Sequence, residues 1–404
     1  MHACWRAFFI AALFIGLSCL VSSTARASSD FEVLDAEVEY TFGAQITFRA
    51  TISSQTPIER VVPFLRVNGE PPLELNPVTP SSRGRVISMY DASRGAIRAF
   101  SNVAYWYQVT LADGKVATSP EFLFFYEDNR FPWQTSQDGI FKLHYYKTDP
   151  EFIDEVLQSA QDGLISALGY VPVMPPHTID IYAYESAEDL QTSLRQLGDA
   201  QIAGHADPAL GIILVSLPRG PDQSTQIRQR IPHEIMHILT YQVVQDNYSA
   251  LPVWLIEGLA SINELHPNPE YQVLLEGAHQ NNHLLPLSSL CRAFPQDTSD
   301  SLLAYAQSTS FTRYLHHHYD TSGILNLLAK YDSATTCEQG IEQAFAVNLN
   351  RLENQWRRDT FAGISWYHSF QEMIPWVVLL ATILAAPFAL TIINLIRKGG
   401  NDAS

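Results

Sequence analysis

The sequence predicts a multidomain chain: an all-β sandwich of the immunoglobulin or fibronectin type, then an α+β domain, then one transmembrane helix near the C-terminus. Three observations predict it. From Phe31 to Tyr126 hydrophobicity alternates with a period of two; after the polar, proline-bearing segment Glu127–Trp133 strands alternate with helices; and Ile374 to Ile396 holds 23 residues without one charge. The 404 residues, 46% hydrophobic and 17% charged, can form two or three packed domains and exclude a mainly disordered chain. Lys+Arg 25 against Asp+Glu 42 gives a net charge of −17. Such a surface repels phosphate backbones, so nucleic acid is not expected as a partner.

Residues 1–27 read as a secretory signal peptide that is removed: Arg6, an uncharged run from Ala7 to Val21, and small residues at Ala25-Arg26-Ala27. In residues 28–128, Ile46, Phe48, Ala50 and Ile52 alternate with Thr47, Arg49, Thr51 and Ser53, the mark of a half-buried strand. Asp113-Gly114 between Tyr105–Leu111 and Lys115–Thr118 signals a hairpin. The tyrosines of this domain suit a sandwich core or a carbohydrate-binding face. Residues 129–365 form the second domain, with strands over Gly139–Tyr146, Ile179–Tyr184 and Gly211–Ser216, helices over Pro150–Leu168, capped by Asp149, and Ala187–Leu197, and mostly helix from Thr225 to Phe361. The apolar run 374–396 reaches roughly 34 Å as a helix, enough to cross a bilayer. Arg397-Lys398 follow it and place the tail, 397–404, in the cytoplasm. The expected arrangement is a single-pass type I membrane protein with its bulk outside the cytoplasm.

Signal removal takes Cys4 and Cys19 with it and leaves Cys291 and Cys337. In an oxidising compartment these two most simply pair.

His233-Glu234-Ile235-Met236-His237 is the short motif with a mechanism attached. Residues i and i+4 share one helix face, so both imidazoles can reach one metal while Glu234 points beside it as a general base. A third ligand is expected from the segment Pro252 to Glu264. Glu257 sits there in an otherwise apolar turn, which is costly unless the carboxylate is paired or bound to metal; Glu264, seven residues on, is the competing candidate.

His233-Glu-x-x-His237 followed by Trp254-Leu-x-Glu257-Gly-Leu-Ala260 resembles the gluzincin metallopeptidases, the aminopeptidase-N-like branch in particular, and most closely the bacterial membrane proteins of the peptidase MA family. The resemblance spans Phe131 to Phe361 and implies a zincin-like domain, a Zn2+ ion on His233, His237 and Glu257, Glu234 as base, and a peptide or protein substrate. Relatives supply an oxyanion donor from the helical half, for which Tyr305 is the candidate here. Two departures stand out: nineteen residues separate His237 from Glu257, one more than in better-known relatives, and Pro232 directly precedes the first ligand, so that the helix either starts or kinks there.

Other features are weaker. Gly211 to Val215 could be an edge strand for a bound peptide or a buried central one, and His205 reads as a loop residue able to touch substrate. His316, His317 and His318 point about 100° apart on a helix and cannot share one ion. His279 and His283 have i, i+4 spacing but no third ligand. The first functional reading is a membrane-anchored, extracytoplasmic zinc peptidase. Its rival is a non-catalytic binding or scaffold ectodomain with a structural or degenerate zinc site.

Overall fold

In a computed structural model the described residues are 30–67, 70–94, 97–146, 149–195 and 204–401, with side chains left out at 94, 195, 363–373, 386 and 388–401. The expected signal peptide, 1–27, lies outside them. The chain divides into two compact units: one holds the described residues up to Glu39, Ile46–Tyr90 and Ala104–Phe124, the other Tyr40–Gln45, Asp91–Val103 and everything from Phe125 on.

The first region of strands is β1 (Phe31–Thr41), β2 (Gln45–Ser54), β3 (Ile58–Val67), β4 (Leu73–Glu74), β5 (Arg85–Asp91), β6 (Ser101–Leu111), β7 (Val116–Thr118) and β8 (Phe122–Tyr126). They form one sheet in the order β1-β2-β5 and another in the order β4-β3-β6-β7, with β8 paired to β6. The period-two pattern buries Ile46, Phe48, Ala50 and Ile52 on β2 and Tyr105, Tyr107 and Val109 on β6, and the rings of Phe48 and Tyr105 meet at 5.1 Å across the two sheets. This is the expected sandwich, with its tyrosines largely in the core. β6 and β7 pair in antiparallel register around Gly114, whose φ of 84° a residue with a Cβ seldom adopts.

The second region adds β9 (Gln134–Asp138), β10 (Phe141–Tyr145), α1 (Pro150–Tyr170), β11 (Ile179–Tyr184), α2 (Ala187–Arg195), β12 (Gly204–Asp207), β13 (Ile212–Ser216), α3 (Gln223–Val244), α4 (Val253–Ile262), α5 (Glu270–Gln280), α6 (Thr298–Leu328), α7 (Cys337–Phe345) and α8 (Leu349–Asn401). Asp149 caps α1 by accepting from the Phe152 N–H at 3.0 Å, as its sequence position requires. The segment before this domain is packed: wholly buried Asp128 accepts from Arg130 Nε at 2.8 Å, Ser193 Oγ at 2.7 Å and Tyr184 OH at 3.1 Å.

The sheet order is β12-β13-β11-β10-β9. β13 is therefore an inner strand, parallel to β11 and antiparallel to β12, and every one of its residues is buried. Among the described residues the outer strand beside it is β12, so of the two readings of Gly211–Val215 the central strand is the one that forms, and His205, expected in a loop, lies on a strand. Behind the sheet α1 packs on α3, and α4 lies against α3 and α6. The α4–α6 approach is close enough that a Cβ on Gly258 would sit 2.6 Å from the Ser308 carbonyl oxygen. Of the two readings at Pro232, a helix start is not what forms: α3 begins at Gln223 and continues through the proline.

Residues 374–396 lie inside α8. Residues 374–385 are exposed, including Trp376 at 70% and Leu384 at 61%. The transmembrane helix expected there is not recovered, since among the described residues no helix is long and apolar enough to cross a membrane. Much of the apolar run beyond 385 falls outside the described side chains, and what remains is shorter than the ~20 residues a span needs.

Cys291 and Cys337 form the expected disulfide. It bolts the start of α4: the Cys291 carbonyl accepts from the Val253 N–H at 2.9 Å, and Trp254 Nε1–H approaches Cys337 Sγ at 3.3 Å. With a sequence separation of 46 between the cysteines, the double variant Cys291→Ser/Cys337→Ser is expected to lose about 4 kcal/mol of unfolding free energy. Urea unfolding checks this; an unchanged midpoint would contradict it.

Candidate metal centre

Two consecutive turns of α3 and the second turn of α4 build the site. The ligand atoms of His233, His237 and Glu257 all lie within 4.8 Å of one another, the one such group of three or more among the described residues. His233 Nε2 is 3.4 Å from Glu257 Oε2, close to the ~3.4 Å that separates two donors on a tetrahedral zinc at ~2.1 Å. The outer face of each imidazole is occupied. His233 Nδ1 meets Glu264 Oε1 at 3.3 Å, and His237 Nδ1 meets the Tyr248 hydroxyl at 3.0 Å. Such partners fix ring orientation and tautomer and leave each Nε2 for a metal. The donor set, two imidazoles and one carboxylate, suits zinc with an open fourth position.

Glu264, weighed in the sequence as a rival ligand, thus lies on the far side of His233 from Glu257. Tyr248 went unnoticed because it belongs to the 3-10 turn Gln245–Ala250, which carries no motif. Tyr305 on α6 faces Glu257, whose negative charge and the burial of the phenol hold its hydroxyl well above the usual value, while its ring stands edge-on to Phe294 at 4.9 Å. Its sequence position is consistent with a core residue, and the hydroxyl places it at the site as well.

Glu234 is buried at 6% exposure, and its carboxylate lies against β12. Gly204 lets that strand approach, since a Cβ there would lie 2.5 Å from Glu234 Oε1. The edge strand and the carboxylate are therefore in direct contact, with His205 between Gly204 and Ala206 on the same strand. Farther off, His283 pairs with Asp300 at 3.1 Å and His279 stacks on Phe361 at 4.1 Å, so both are engaged outside any metal cluster.

Electrostatics divide the groups sharply. Burial pushes Glu234 up to about 7, partly offset by the charge of His233. Burial also drives His237 down to about 4, keeping that imidazole neutral. His233 faces the same burial, but hydrogen bonds to the carboxylates of Glu257 and Glu264 outweigh it and hold the group up to about 10. Glu257 resists its own burial through His233 and His237 and stays below the ordinary carboxylate value. The carboxylates around His233 thus favour its protonated form.

A family model described as the Peptidase MA superfamily matches residues 159–362, half of the chain. No curated protein matches. Among solved structures, a carbohydrate-binding module family 56 beta-1,3-glucan binding domain is 13% identical, covering 24% of this chain and 99% of its own, with a TM-score of 0.17. OgpA from Akkermansia muciniphila is 14% identical, covering 24% of this chain and 28% of its own, with a TM-score of 0.20. A polysaccharide deacetylase from Bacillus cereus is 7% identical, covering 42% and 56%, with a TM-score of 0.19. Likenesses this distant assign neither fold nor ligand.

A metal can take His233 only as the neutral imidazole, so zinc must displace its proton. With the folded, metal-free group at about 10, uptake at pH 8 is expected to release close to one proton, and apparent affinity to rise about tenfold per pH unit between pH 7 and pH 9. Calorimetry in buffers of different ionisation enthalpy measures the release. No proton release at pH 8 would contradict the assignment.

Proposed function

The chain belongs to the Peptidase MA superfamily, and from that premise we propose that it is a zinc-dependent peptidase with His233, His237 and Glu257 as the metal ligands and Glu234 as the general base. The observation that carries the reading is the clustering of the three donors beside a buried carboxylate that shares a strand edge. Zinc bound there would lower the pKa of a water and polarise the scissile carbonyl. Glu234, pushed up to about 7, is suited to take a proton from the attacking water near neutral pH and return it to the leaving amine. Tyr305, beside Glu257, is the proposed donor to the developing oxyanion. β12, an outer strand of the sheet among the described residues and against Glu234, is the strand proposed to receive an extended peptide. The substrate is accordingly an extended peptide or protein segment.

The proposal includes the compartment. The disulfide suits an oxidising environment, and the uncharged run 374–396 followed by Arg397-Lys398 suits a single-pass anchor with the catalytic region outside. Protease added to intact cells should remove nearly the whole protein. A protected catalytic region would overturn this part.

The peptidase reading is tested by two substitutions with opposite signatures. Glu234→Gln should keep one zinc per chain and lose hydrolysis of a peptide library by ~100-fold or more. Glu257→Ala should lose most of the zinc, because two imidazoles alone seldom complete a protein zinc site. If Glu234→Gln hydrolyses as the wild type does, the scaffold reading takes its place.

A further inference from the structure

Pro232 poses a physical problem. It stands inside α3 directly before His233, where its missing N–H leaves the carbonyl of Arg228, four residues earlier, without its helical donor. An unpaired carbonyl and a loosened turn beside a metal ligand would let His233 wander. The structure closes the gap from another element: the Leu265 N–H, just beyond α4, donates to the Arg228 carbonyl at 3.0 Å. Two residues earlier, Asn263 Nδ2 donates to the Pro232 carbonyl at 2.7 Å and to the Gly163 carbonyl of α1 at 3.2 Å. The proline ring itself rests on Gly163, where a Cβ would come within 2.9 Å of Pro232 Cβ. Between these two anchors stands Glu264, on His233 Nδ1.

We infer that Asn263 is a positioning residue: together with Leu265 it clasps the proline-opened turn of α3 and thereby delivers Glu264 to His233, setting the affinity of the site for zinc. The inference rests on the peptidase reading for the identity of the metal. Three consecutive residues hold one turn of one helix, each by a different group, and the middle one alone touches a ligand. Asn263 is wholly buried, and both neighbours of its nitrogen are carbonyls, which fixes the amide orientation. Its Oδ1 then finds no hydrogen-bond partner among the described residues. An orphaned buried acceptor is a cost to stability, so an apolar residue of similar size would serve simple packing better. What an apolar residue cannot do is join Pro232 to α1.

Zinc affinity of the full chain in detergent, measured by competition with a chromophoric chelator, tests this with Asn263→Ala, Glu264→Gln and the double variant. Each single variant should bind zinc ~10- to 100-fold more weakly, the usual loss when an outer partner of a metal-bound histidine is removed. Because Asn263 acts through Glu264, the double variant should bind within about twofold of the weaker single one, not at the product of the two losses. Asn263→Ser, which keeps one donor, should fall between wild type and Asn263→Ala and serves if the alanine variant does not fold. A residue that only stabilised the fold would lower the melting temperature of the metal-free chain and leave the zinc affinity of the folded protein alone. Wild-type affinity in both Asn263 variants, or losses that multiply in the double variant, would overturn the inference while the peptidase reading stands. A wild-type chain that binds no zinc would overturn both.

Discussion

The imidazole of His233 between two carboxylates, Glu257 at 3.4 Å on one nitrogen and Glu264 at 3.3 Å on the other, is the interaction on which the rest of the site depends. Both carboxylates come from one stretch of chain, α4 and the two residues past its end, so α4 must lie at one angle and one depth against α3. Gly258 permits the depth on the α6 side and the disulfide holds the start of the helix. The carboxylates raise the pKa of His233, and a cationic imidazole between them offsets their mutual repulsion. A divalent cation held by His233 Nε2 and Glu257 would leave Glu264 on the Nδ1 side of the same ring.

Much of this was legible because it is local. The pair His233 and His237 follows from a period of 3.6, and Glu257 from the cost of a carboxylate in an apolar turn. The sandwich followed from alternation and from the Asp113-Gly114 turn, and the cap at Asp149 from the proline after it. The disulfide followed from there being two cysteines left to pair.

The remainder depends on partners far apart in sequence. Nothing near Pro232 announces that the donor for Arg228 is Leu265, and a proline read alone predicts a break. The run Ile212–Ser216 is apolar enough for an edge or a central strand, and only its pairing with the short strand Gly204–Asp207 decides the matter. That short strand has little hydrophobic signature, because one of its positions is a glycine set against Glu234 and another is His205. Glu264 could be found as a candidate by its heptad distance from Glu257, but its side of the imidazole could not, since the helix ends at Ile262 before reaching it.

The account's central claim is the coordination of a zinc ion by His233, His237 and Glu257. Zinc-edge X-ray absorption on the purified, metal-loaded chain tests it most directly. The account predicts a four-coordinate ion with nitrogen and oxygen neighbours at ~2.0–2.2 Å, two of them showing the multiple-scattering pattern of imidazole rings. Sulfur at ~2.3 Å, or a single imidazole, would contradict it.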